Sequence, residues 1–200
     1  MKHLIFALLI VLCITTLGFG REWRPFVGAA IREDIVIAEQ HIRGYNDAMI
    51  APAYYPLGAQ VTIGLTSDHL MGYLAYYDGH STTIGTSRWD VKQMIIGGRW
   101  HPAGIGDRPF HAFVGGGVTV TTSRSDVSSA GLAASRNDLG AMLEFGLQIP
   151  VTNAVGIDFA TQLHRFETEF DAVHIFGNPH YVVLAPAFQL GVQVLGPKVL

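Results

Sequence analysis

From Asp138 to Phe166, apolar and small-or-polar residues alternate almost without a break. Leu139, Ala141, Leu143, Phe145, Leu147 and Ile149 occupy alternate positions, with Gly140, Met142, Glu144, Gly146 and Gln148 between them. Beyond Pro150-Val151-Thr152-Asn153, the residues Val155, Ile157, Phe159 and Leu163 alternate with Gly156, Asp158, Ala160, Gln162 and His164. Successive side chains of a strand point to opposite faces, so the pattern predicts a hairpin of two long strands, each with one apolar face. Arms of roughly 12 residues exceed the ~5–6 usual in a soluble sheet and match the ~9–11 tilted residues that cross a bilayer.

Less regular alternation predicts further strands over Trp23–Arg32, Gln60–Leu65, His69–Tyr77, Trp89–Trp100, Phe110–Thr121 and Tyr181–Leu195. The total is even, as in closed bacterial barrels, and long and short connections take turns as they do there. The long ones are Glu33–Ala59, Asp78–Arg88, Thr122–Asn137 and Glu167–His180; the short ones are Thr66–Asp68, His101–Pro109 and Pro150–Asn153. The expected fold class is therefore all-β: a closed antiparallel transmembrane β-barrel of eight strands, with long outer loops and short periplasmic turns. Glu33–Ala59 is apolar for a free loop, with Ile35-Val36-Ile37 and Tyr54-Tyr55-Pro56. It fits a hairpin rising above the membrane, a short plug, or two more strands of a ten-stranded barrel.

Composition agrees with a lipid-covered wall. Hydrophobic residues make up 49% of the chain and charged residues only 14%, with 23 glycines. The net charge of −3 leaves no basic footprint for nucleic acid. At the N-terminus Lys2 and His3 precede the apolar run Leu4 to Leu17, and Gly18-Phe19-Gly20 follows. These are the parts of a secretory signal peptide, so residues 1–20 are expected to be cleaved and 21–200 to form the barrel. Cys13 lies inside the run, so the processed chain has no cysteine and no disulfide or thiol chemistry.

Among the positions expected to face inward are Arg99, Glu144, Asp158, Gln148, Gln162 and His164. An eight-stranded barrel is just wide enough for side chains to fill it, and buried charges need partners. These residues are expected to form a lumen charge network that plugs the barrel; a narrow polar path is the alternative. Trp23, Tyr76, Trp89, Trp100, Phe110, Phe166 and Tyr181 fall near strand ends, where an aromatic girdle belongs. Arg43, Arg88, Arg124, Arg136 and Arg165 lie in or beside the long connections, within reach of lipopolysaccharide phosphates or simply solvated. A metal site at His164, Glu169, Asp171, His174 and His180 lacks a tightly spaced ligand pair. No catalytic residue, cofactor or metal is expected.

The segments Arg24-Pro25-Phe26-Val27-Gly28-Ala29 and Arg108-Pro109-Phe110-His111-Ala112-Phe113-Val114-Gly115-Gly116-Gly117, with the Asp138–Phe166 hairpin, resemble the small outer-membrane β-barrel proteins. These include the OmpA transmembrane domain, OmpX and OmpW-like proteins. The resemblance covers nearly all of the processed chain and is specific for architecture rather than activity. It implies residence in the bacterial outer membrane, contact with its lipid and lipopolysaccharide, and handling by the barrel assembly machinery. Such proteins often end in an aromatic residue, whereas this sequence ends Gly196-Pro197-Lys198-Val199-Leu200. Lipid A deacylases on similar barrels use a serine near the chain end, but no serine follows Ser135. The expected function is structural or a surface interaction through the loops Glu33–Ala59, Thr122–Asn137 and Glu167–His180. A narrow channel for small or apolar solutes is the alternative, followed by a soluble periplasmic lipophile-binding barrel or a lipid A-modifying enzyme.

Overall fold

The computed structural model describes residues 22–41, 49–50, 54–81, 87–105, 109–127, 131–169 and 180–198. The expected signal peptide lies outside them. Ten strands are present among the described residues: β1 (Arg24–Asp34), β2 (Ile37–His41), β3 (Met49–Ile50), β4 (Pro56–Thr66), β5 (Leu70–Ser81), β6 (Ser87–Trp100), β7 (His111–Val127), β8 (Gly131–Pro150), β9 (Val155–Glu169) and β10 (His180–Leu195). Eight of them, β1 and β4 to β10, pair antiparallel in chain order, and β10 pairs back onto β1 to close the wall.

The strands are staggered as they go round. Following partners from Gln193 leads through Gly28, Thr62, Ala75, Ile95, Thr119, Gly140 and Phe166 to Val183, ten residues from the start on the same strand. With ~3.3 Å per residue and ~4.8 Å between strands, this stagger tilts the strands by ~41° and sets the backbone radius at ~8 Å.

Burial is inverted relative to a soluble protein. On β8, Leu143 is 65% exposed and Phe145 58%, while Glu144 between them is 1% exposed. Outward Ile31, Val61, Leu74, Val118 and Leu190 continue an exposed apolar belt round the wall. A belt of this extent on a water-covered protein would drive association; against acyl chains it is the favourable face.

The Glu33–Ala59 segment extends the first hairpin. β2 stays on β10 in the register of β1, with Asp34 opposite Ala187 and Ile37 opposite Leu184. The break between β1 and β2 falls opposite Pro186, whose nitrogen has no hydrogen to donate. On the other side Val36 bridges Tyr54, and a one-residue shift follows before Glu39 meets Ile50. Thus β2 and β3 lengthen two arms of an eight-stranded wall and add no strand to its circumference.

At the short-turn end, Thr152 Oγ1 accepts hydrogen bonds from the backbone nitrogens of Ala154 at 3.2 Å and Val155 at 3.0 Å, which tightens the β8–β9 turn. Gly104 adopts φ = 75° after β6, a conformation that disfavours a side chain. The opposite ends of the strands run further than expected. Thr122–Asn137 is mostly a continuation of β7 and β8, with a bulge between Thr122 and Arg124. Asp78–Arg88 and Glu167–His180 likewise begin and end in strand.

Candidate functional site

The lumen holds two charged tiers. In the tier nearer the short turns, Arg99 on β6 reaches across to β8 and β9. Its Nη2 and Nε donate to Glu144 Oε1 at 2.7 Å and Oε2 at 2.9 Å, and Nη1 donates to Asp158 Oδ2 at 2.7 Å. Tyr73 OH donates to Glu144 Oε2 at 2.9 Å, and Gln162 Nε2 to Oε1 at 3.0 Å. Gln193 Nε2 donates to Asp158 Oδ2 and its Oε1 accepts from Gln148 Nε2. The guanidinium lies 4.3 Å from the Phe113 ring centre. His164 Nε2 stands 3.0 Å from Gln162 Oε1. The structure therefore brings Arg99, Glu144, Asp158, Gln148, Gln162 and His164 together, all buried.

A second tier lies nearer the long connections. Arg32 on β1 forms a fork with Asp34, 2.6 Å to Oδ1 and 2.8 Å to Oδ2, and its Nη2 donates to Gln93 Oε1 on β6 at 2.7 Å. The Tyr77 ring stacks under the guanidinium at 4.0 Å. The tiers are joined: Gln189 Oε1 accepts from Gln60 of the upper tier at 3.2 Å and from Gln162 of the lower at 3.0 Å. Sequence reasoning missed this tier because Arg32 and Asp34 stand at the edge of the strand as first drawn. The signal was there, since Arg32 shares its face with Phe26, Gly28 and Ala30.

Glycine makes room for this filling. A Cβ on Gly97 would stand 2.6 Å from Tyr73 Cζ, and one on Gly146 2.6 Å from Phe113 Cζ. Each glycine sits directly opposite its aromatic partner on the next strand, so the ring can lie flat over it.

At the short-turn mouth His101 and His111 are buried, and His101 stacks on Phe113 with ring centres 5.6 Å apart. Burial, then the nearby Arg99 and His111, push the His101 imidazole down to about 4.

No family model and no curated protein sequence matches this chain. Among solved structures, the outer membrane protein OprG from Pseudomonas aeruginosa superposes with a TM-score of 0.63 at 12% identity, covering 88% of this chain and 97% of that one. The fold is that of the small outer-membrane β-barrels. Neisserial surface protein A, with a TM-score of 0.57 at 12% identity, covers 83% of this chain and 96% of its own. AlkL, determined in DMPC lipid bilayers, has a TM-score of 0.57 at 13% identity, covering 90% and 91%.

In an outer-membrane barrel the outward aromatics near strand ends meet the bilayer interfaces. Trp100, Phe110 and Tyr76 are about half exposed on the outer face, and Trp23 is partly covered. The side chains of Trp89 and Tyr181 lie outside the described set, as do Arg43, Arg88, Arg136, Asp171 and His174. Phe166 departs from the expected girdle: it is 2% exposed and packs in the lumen with Val36, Tyr77, Val91 and Val183. Its parity on β9 is that of Gln162 and His164, and alternation outweighs its place near the strand end.

Proposed function

We infer that the processed chain is an integral outer-membrane barrel whose lumen is plugged and whose role is structural or an interaction at the cell surface. The carrying observation is the Arg99–Glu144–Asp158 tie, which crosses the lumen where a solute would pass. A backbone radius of ~8 Å leaves a narrow core once inward side chains are in place. The short turns face the periplasm in this reading, so that the long connections face outward. Beyond Val120, β7 continues for seven residues to Val127 and carries the hairpin past the apolar belt, where exposed Arg124 stands. Surface binding belongs on such projections from a rigid wall.

Planar-bilayer recording and liposome swelling on refolded protein test the plug. The expected outcome is no stepwise conductance in the wild type, and conductance once Arg99, Glu144 and Asp158 are all replaced by alanine. Regular single-channel steps in the wild type would instead establish the narrow channel.

A further inference from the structure

Two histidines at the short-turn mouth take no part in the charged tiers. His101 follows β6, and its backbone N–H donates to His69 O at 2.8 Å, so the pairing of β5 with β6 carries on past Trp100. Trp100 faces Val114 of β7, which places His101 opposite Phe113, and those two rings are 5.6 Å apart. His111 opens β7 two residues before Phe113. It therefore shares the inward face and is the diagonal neighbour of His101.

Both imidazoles are sealed from solvent, His101 at 0% exposure and His111 at 1%. Even so, none of their ring nitrogens has a hydrogen-bond partner among the described residues. Buried polar groups are nearly always paired, and two such orphans side by side call for an occupant that both can hold. Neutral imidazole is the commonest metal ligand among side chains. Diagonal neighbours stand ~7–8 Å apart between Cα atoms, a span that two imidazoles close round one ion at ~2 Å from each nitrogen.

The surroundings choose the ion. Among the described residues no group of three metal-ligating side chains forms there. His69 turns its Nδ1 to the His101 carbonyl instead, at 3.0 Å. Zinc takes four ligands and magnesium a near-ideal octahedron of oxygens, and Phe113 against His101 offers neither ion a donor. Arg99, two residues back on the same face, penalises every positive charge brought in. Its tier still holds two carboxylates against one guanidinium, which balances a single added charge. These conditions fit a soft, monovalent ion content with two nitrogen ligands. We propose that His101 and His111 bind copper(I) between them at the short-turn mouth of the lumen.

The test uses the processed, untagged chain refolded into phosphatidylcholine vesicles, with heat-modifiable gel mobility confirming insertion of every variant. Copper(I) is supplied anaerobically under ascorbate from a chromogenic copper(I) chelator, and the copper retained per barrel is measured. One ion per barrel is expected, with the X-ray absorption edge of a two-coordinate nitrogen site. His101→Leu and His111→Leu should each weaken retention by more than the ~100-fold that losing a group behind a metal ligand costs. His80→Leu, which removes an exposed imidazole at the other end of β5, should leave retention unchanged. No retained copper in the inserted wild type, a three- or four-coordinate edge, or displacement of copper by equimolar zinc(II) would overturn the proposal. So would equal retention in the His101→Leu and His80→Leu proteins. Where a leucine variant does not insert, the wild-type stoichiometry and edge decide.

Discussion

Arg99 is the side chain on which the most groups depend. It is the guanidinium bound to both Glu144 and Asp158, and all three are almost fully buried. Arg99→Met keeps much of the volume but strands two carboxylates, and removing one partner of a buried pair costs ~3–5 kcal/mol. We expect a loss of that order in urea unfolding of the refolded barrel, with Arg165→Met, an exposed residue 3.7 Å from Glu167, as the control. That control should change stability by less than ~1 kcal/mol. Equal effects from the two substitutions would mean the lumen is wet enough to solvate the carboxylates. The alternation puts Arg99, Glu144 and Asp158 on inward faces, since parity alone decides the face, and all three side chains are buried. It could not pair them, since β6 and β9 lie three strands apart and nothing local records which rungs meet.

At the level of the element, alternation was legible only where the two faces meet different solvents. Leu139 to Ile149 alternates because lipid lies on one side and the packed lumen on the other. Past Thr122 on β7, Ser123-Arg124-Ser125-Asp126 shows no such alternation, and the strand nevertheless runs to Val127. Strand pairing outside the bilayer needs no apolar face, so these extensions read as loop. The same reasoning covers β2, which continues β1 after the Pro186 break but is paired over only five residues. Amide hydrogen exchange should separate the two: Ala29 to Ile31 protected, Ala38 to Gln40 exchanging at least ~100-fold faster, a difference of ~3 kcal/mol in opening. Equal protection would show that β1 and β2 open as a single unit.

For the molecule as a whole, the outward surface follows from the belt and its direction from the connections. The processed chain is expected to lack cysteine, so single introduced thiols report sidedness cleanly. In intact cells Arg124→Cys should react with a membrane-impermeant maleimide, and Thr152→Cys should react only after the outer membrane is breached. The reverse pattern would invert the orientation. The ten-residue stagger has a further consequence. Alternation repeats every two residues, so shifting the register of any one strand pair by two leaves every lipid-facing and lumen-facing assignment intact; the apolar pattern is degenerate. Such a shift at a pair between β6 and β9 would still change the radius by roughly 0.7 Å and the enclosed cross-section by about a sixth. It would also move Glu144 or Asp158 away from Arg99 by two rungs. The buried ionic cluster thus breaks a tie that hydrophobicity cannot, choosing one circumference for the wall from several that lipid would accept equally.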